Sequence, residues 1–142
     1  MARPDPYGNF RFRAEIDGLV VGEFAEVTGL ISESEVIAHR DGTDPSRVRR
    51  VPGIHKVSDI TMKRGLTTDR SLWLWRKAVI DGQVDRRDGV IVLLDGTGQP
   101  VARWRFTSGW PSKWEGPTLE GLGNDVATET LVITHEGLDW AD

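Results

Sequence analysis

Three histidines, His39, His55 and His135, are the side chains of this 142-residue sequence best suited to proton transfer or metal ligation. None has a second ligand at i+3 or i+4, and the chain has no cysteine, so a metal site would have to be assembled by the fold from distant residues. Glu33 and Glu35 alternate at the spacing that puts two carboxylates on one strand face, as a general acid/base pair can use, but a solvated strand face explains the same spacing. His39-Arg40-Asp41 has the order of a kinase catalytic triplet, without the glycine-rich loop, the lysine strand or the chain length of that chemistry. Gly121 and Gly123 precede a strand pattern, so no helix N-terminus waits for a pyrophosphate, and no serine sits in a nucleophile elbow. What remains is a group of guanidiniums, Arg47, Arg49 and Arg50, in the segment DGTDPSRVRRVPG. Arg forks suit bidentate pairing with carboxylates. The segment is either a solvated charged tip or a contact arm for carboxylates on another copy. The chemistry in view is adhesion, and we expect no enzyme, no catalytic residue, no cofactor and no bound metal.

Composition narrows the partners. Lys and Arg total 18 against 22 Asp and Glu, a net charge of −4, which makes general nucleic-acid binding and specific nucleic-acid recognition unexpected. Apolar residues at 38% and charged residues at 28% are ordinary for a globular protein. A chain of this length buries roughly two thirds of its unfolded surface in one core, so residues 1–142 are read as a single domain. No apolar run approaches the roughly 18 residues of a membrane span, and MARPDPYGNF lacks the apolar centre of a signal peptide. The expectation is assembly in the cytoplasm of the producing cell, with no membrane anchor. The six tryptophans against one tyrosine fit interface centres as well as a core.

The element that positions most of these residues is a helix expected over residues 69–81, with Thr68 or Asp69 as N-cap and Gly82 at its stop. At roughly 100° per residue, Leu72, Trp75 and Val79 form one face, Leu74 and Ala78 continue it, and Trp73 with Ile80 lies opposite; only a wedge around Arg70 and Lys77 is polar. A helix covering one sheet needs one apolar stripe. The second face is covered either by a long loop or by another subunit, and the interface helix then comprises Leu72, Trp73, Trp75, Val79 and Ile80.

Around it the sequence lays strands. Residues 1–9, with Pro4, Pro6 and Gly8, are expected to be an N-terminal arm. From Phe10 the alternation is clean: Phe10, Phe12, Ala14 and Ile16 point one way and Arg11, Arg13, Glu15 and Asp17 the other. Asp17-Gly18 signals a hairpin turn, residues 19–27 return with Gly22 as a possible bulge, and residues 32–40 make an unusually polar third strand. Residues 41–53 are expected to be a protruding loop, too long to be idle in a small domain, and 54–64 the strand entering the helix. Residues 90–94 read as a strand buried on both faces, 100–109 as a strand with Ala102, Trp104 and Phe106 inward, 110–123 as a crossover loop pinned by Trp110 and Trp114, and 127–136 as the last strand. Six or seven strands and one helix argue for two packed antiparallel sheets, a mainly β sandwich or barrel.

Four stretches in order, DPYGNFRFRAEIDGL, KRGLTTDRSLWLWRKAV, VARWRFTSGWPSKWEGP and ATETLVITHEGLDW, resemble the tail tube protein family of contractile-tailed phages and contractile injection systems, from Asp5 to Trp140. The resemblance implies a β-barrel-like tube subunit, hexameric rings, and rings stacked into a hollow tube inside a contractile sheath that drives it through a target envelope. Its partners would be other copies of itself, the sheath protein, baseplate or spike proteins, tube-terminating proteins, and cargo or DNA in the lumen. Under this reading Arg47, Arg49 and Arg50 stack rings, Glu33, Glu35, Thr61 and Lys63 face the lumen, and Arg70 and Lys77 face the sheath. The tube would sit in an intracellular or released particle or in a virion tail. The alternatives are a paralogous tube-initiating or spike-adaptor ring, a relative of the secreted ring protein of type VI secretion, and, in another class, a monomeric ligand-binding β-barrel module.

Overall fold

The computed structural model describes residues 11–40, 42–43, 46–119, 121 and 127–141. The expected arm over residues 1–9 lies outside them. Alternation builds the first hairpin. In β1 (Arg11–Ile16), Ala14 and Ile16 are buried and Phe12 packs on the core, while Arg13 and Glu15 pair with each other at 3.0 Å on the outer face. Asp17 and Gly18 both have positive φ, 54° and 79°, the conformation of a tight turn whose twist matches the flanking strands. The returning β2 (Leu19–Phe24) carries one extra residue, Val21, beside Gly22, so the expected irregularity is a bulge there.

After β3 (Glu26–Thr28) come β4 (Ser32–Arg40), β5 (Val48–Val57), β6 (Ile60–Gly65), the helix α1 (Ser71–Ile80), β7 (Arg87–Leu94), β8 (Pro100–Glu115), β9 (Thr128–Thr134) and β10 (Gly137–Ala141). Eight strands form one antiparallel sheet in the order β2-β1-β7-β8-β9-β6-β3, with β10 also on β8; β4 and β5 form a separate two-stranded sheet. The 16-residue β8 belongs to both halves of the large sheet: residues 100–109 pair with β7 and β10, and residues 110–115 pair with β9. It turns the corner at Ser108, whose φ is 53°. The two halves close on a core in which Ile60, Met62, Ile91, Phe106, Leu131 and Ile133 are fully buried. Phe106 lies against Gly89 and Gly109, where an added Cβ would overlap its ring.

Several expectations change. Among the described residues the sheet is not a closed barrel, because its path ends at β2 and β3 with no ladder between them. Among the described residues ten strands are found where six or seven were expected. The loop over 41–53 is shorter than expected, since β5 starts at Val48 and pairs with β4 along its length, leaving Arg49 and Arg50 in a strand. The crossover loop begins after Glu115, because β8 runs through Gly109 and Pro111; the ladder to β9 is irregular next to Pro111, where a missing N–H is tolerated. The tail with Leu138 and Trp140 is the strand β10. The helix is Ser71–Ile80 instead of 69–81. Its N-cap position is Arg70, without a side-chain cap, while Asp69 accepts the Ser71 N–H at 2.9 Å from one residue upstream. Gly82, φ 89°, ends it with its N–H on the Val79 carbonyl.

Candidate functional site

The histidines do not converge. His39 is exposed on β4, His55 shares a hydrogen bond with the Ser34 hydroxyl, and His135 is buried between two backbone carbonyls. Among the described residues no group of three His, Cys, Asp or Glu side chains is placed to hold a metal. Surfaces are what the fold offers, and two stand out.

The first is the β4–β5 hairpin. Every residue of β4 is exposed, and in β5 only Gly53 and Val57 are partly covered. Among the described residues no other element packs extensively on it. Residues opposite each other across an antiparallel pair share a face. Ile37 with Val51 and His39 with Arg49 therefore occupy one face, and Val36 with Pro52, Ala38 with Arg50 and Arg40 with Val48 the other. Arg49 and Arg50 thus point to opposite faces, and Arg47 precedes the strand at the tip. Near the root, Glu33 pairs with Lys56 at 3.6 Å and Glu35 is exposed. A two-stranded hairpin without a core of its own is marginal in water, yet this one exposes Val36, Ile37, Val48, Val51 and Ile54.

The second is the outer side of α1. Leu72 and Trp75 are 2% and 4% exposed in the chain's own core, and the Trp75 indole donates to the Asp85 carbonyl at 2.9 Å with Arg87 stacked above it. These two of the five interface residues are therefore committed internally. Val79 is half-buried, while Trp73, Leu74 and Ile80 are 36%, 61% and 58% exposed. Trp73 meets Trp114 edge-on at 5.0 Å, and with Leu66, Thr67, Asp69 and Glu129 they line a groove of about 450 Å³. Arg70 and Lys77 are exposed, as the polar wedge requires. Thr61 and Lys63 lie on the outer face of β6, alternating with buried Ile60, Met62 and Arg64.

Sequence reasoning missed the pair beneath that groove. Arg64 on β6 and Glu129 on β9 are cross-strand partners, 5% and 3% exposed, with Nε and Oε1 2.6 Å apart. Trp114 Nε1 donates to the other Glu129 oxygen at 3.2 Å, Arg64 Nη1 reaches the Val21 carbonyl across the open seam at 3.3 Å, and the guanidinium lies over Phe24. The signal was available: both residues continue the inward series Ile60, Met62, Arg64 and Glu129, Leu131, Ile133 with opposite charges. Gly22 makes room, since a Cβ there would come within 2.6 Å of Arg64 Nη1. Asp69, at the groove's rim, is held below its ordinary 3.8 first by the Ser71 backbone N–H, then by the Ser71 hydroxyl, with burial opposing and Arg64 assisting.

Comparison with known proteins places this geometry. Residues 8–139 match the family model described as T4-like virus tail tube protein gp19. Among solved structures, the fold is similar to a chain of an extracellular contractile injection system, the PVC sheath-tube complex in its extended state, at 22% identity and TM-score 0.84, covering 96% of this chain and 91% of that one. A chain from the PVC sheath/tube terminator is similar at 22% identity and TM-score 0.87, covering 99% and 100%. Hcp1 from Flavobacterium johnsoniae is more distant, at 14% identity and TM-score 0.58, covering 92% and 94%. No curated protein matches. At these identities the structural likeness is one of fold.

Proposed function

The chain belongs to the T4-like virus tail tube protein gp19 family, and we propose that it is the structural inner-tube subunit of a contractile injection system or phage-like tail, forming hexameric rings that stack into a hollow conduit. The observation that carries this reading is the β4–β5 hairpin, which has apolar side chains on both faces and, among the described residues, no element packed over them. Neighbouring copies would supply that cover.

Within the tube, the exposed side of α1 with Trp73 and Ile80 meets an adjacent subunit. Arg47, Arg49 and Arg50 stack one ring on the next, motivated by their place at the hairpin's far end. The outer face of β6, β9 and the second half of β8 is mostly polar, with Thr61, Lys63, Thr128, Thr130 and Lys113 beside the apolar Val132 and Trp110. It continues from the root of the hairpin, and this is the surface, with Glu33 and Glu35, that we assign to the lumen. A wet, weakly adhesive wall suits a channel for cargo or DNA. Arg70 and Lys77 would meet an acidic face of the sheath, and baseplate and terminator proteins would bound the tube.

The subunit contacts are tested by sedimentation of purified parent and Trp73→Ala/Ile80→Ala protein. The reading expects discrete rings for the parent and a shift to monomer for the variant; an unshifted ring would remove the helix from the interface. Cysteines introduced at Glu33 and Thr61 should react with a small maleimide in open tubes, and if both stay unlabelled the lumen assignment fails. Arg70→Glu/Lys77→Glu should lose co-sedimentation with the sheath protein, and retained binding would end that role. Fold likeness to a chain of the terminator complex as high as that to the sheath-tube chain favours a second reading, a ring subunit at the tube's end. Rings that never elongate would support it.

A further inference from the structure

Asp-Gly is the dipeptide in which an aspartate isomerises most readily, because glycine has no Cβ to block its amide nitrogen from the preceding side-chain carboxyl. The sequence has five such pairs, beginning at Asp17, Asp41, Asp81, Asp88 and Asp95. Asp41 lies outside the described residues, and the other four sit in different surroundings.

Three of these four are held by hydrogen bonds. Asp95 Oδ1 accepts the Thr97 N–H at 2.9 Å, the Thr97 hydroxyl at 2.6 Å and the Gln99 N–H at 2.9 Å. Asp88 Oδ1 accepts the Ser108 N–H at 2.9 Å, and Gly89 is buried in β7 between β1 and β8, against the Phe106 ring. At Asp81 the attacking nitrogen is the engaged group, since the Gly82 N–H donates to the Val79 carbonyl at 3.0 Å.

Asp17 has neither restraint. Its carboxyl stands 3.7 Å from Arg87, which Asp85 holds more closely at 2.7 Å, and among the described residues it accepts no hydrogen bond. The Gly18 N–H lies in the two-residue turn between the paired Ile16 and Leu19 and, among the described residues, donates to no acceptor. The Asp17 side chain is 57% exposed, and its φ of 54° is a conformation that a residue with a Cβ holds at a cost. Its own N–H is tied to the Asp88 carbonyl at 3.0 Å, which fixes the entry to the turn but neither of the two reacting groups.

We propose that Asp17-Gly18 is a site of spontaneous aspartate isomerisation, set apart from the other described Asp-Gly pairs by the hydrogen bonds it lacks. The Gly18 nitrogen bonds to Asp17 Cγ and gives up its proton, the carboxyl oxygen leaves as water, and a five-membered succinimide closes. Water then adds at either ring carbonyl, restoring aspartate or giving isoaspartate, so the net composition is unchanged and no oxidant, reductant or cofactor takes part. In isoaspartate the main chain runs through the side-chain methylene, one carbon longer. A two-residue turn whose twist matches its strands has no place for that atom, so the product loosens the β1–β2 hairpin. This inference concerns the single chain and stands apart from tube assembly.

The test is peptide mapping by mass spectrometry with electron-transfer fragmentation, which distinguishes isoaspartate from aspartate at each pair, on the full-length chain aged in dilute neutral solution, folded and in urea. The folded chain should gain isoaspartate at Asp17 about five- to tenfold faster than at Asp81, Asp88 or Asp95, the rate factor that one retained hydrogen bond imposes. In urea the four rates should converge, because the fold no longer separates the sites. A folded chain in which any of the other three keeps pace with Asp17, or a lead of Asp17 that persists unchanged in urea, overturns the proposal.

Discussion

At the scale of single residues, Arg64 and Glu129 form a buried ion pair across the β6–β9 ladder. Neither charge can leave the seam, so removing one strands the other: Glu129→Ala should cost about 3–5 kcal/mol, measured by urea unfolding of the parent and the variant. The exposed Glu33–Lys56 pair is the control, and Glu33→Ala should cost less than about 1 kcal/mol. A small effect at Glu129 would mean that Arg64 finds water or another partner. Asp95 gives a pH-dependent case. The Thr97 hydroxyl first, then the Gln99 N–H, holds its carboxyl below the ordinary 3.8. A carboxyl lowered in the folded state adds stability that is present above its ordinary value and is lost as pH falls through the folded one. The stability gap between the parent and Asp95→Asn should therefore be open at neutral pH and narrow towards pH 3. Denaturant midpoints at the two pH values check it, and a gap that widened in acid would contradict the assignment.

At the scale of elements, the glycines around Phe106 explain how β8 can turn a corner over a bulky ring. Gly89→Ala would drive a methyl into that ring and should destabilise by about 1–3 kcal/mol or more, readable as a lowered melting temperature. The hairpin makes the opposite prediction, because among the described residues its strands pair only with each other, in a two-stranded ladder. In dispersed subunits they should exchange within seconds while those of β7 and β9 stay protected, and in assembled particles they should become protected. Fast exchange in both states would leave the hairpin without a covering partner. What was legible in the sequence follows from the same physics. The β1–β2 hairpin, the β4 boundaries and the helix announced themselves through strict periodicity and the Asp17-Gly18 turn. The strand β5 did not, since both of its faces are exposed and its arginines and Pro52 mimic a loop. The second half of β8 hid behind Gly109 and Pro111, which read as breakers when only the backbone's tolerance at the corner mattered. The Arg64–Glu129 pair was passed over because charge at an inward position resembles the end of a strand, and its meaning appears only when the two strands lie side by side.

For the whole molecule, the described residues give an open folded sheet, a hairpin exposed along both strands and an apolar outer helix face, which are the surfaces the proposed assembly would cover. Exposed apolar area on this scale is an aggregation liability in a monomer and an asset in an ordered assembly. The helix alone pointed in that direction, although two of its apolar residues proved to belong to the subunit's own core. If the arginines at the hairpin's far end stack rings as proposed, stacking is salt-sensitive: changing Arg47, Arg49 and Arg50 to Ala should shorten tubes, most clearly at raised salt, while leaving rings intact. Unchanged tube lengths would remove the arginines from the ring-to-ring contact without touching the ring itself. The central claim is tested most directly by negative-stain electron microscopy of the purified protein at low and high concentration. The account predicts six-fold rings that lengthen into hollow filaments as concentration rises; dispersed monomers at every concentration would contradict it.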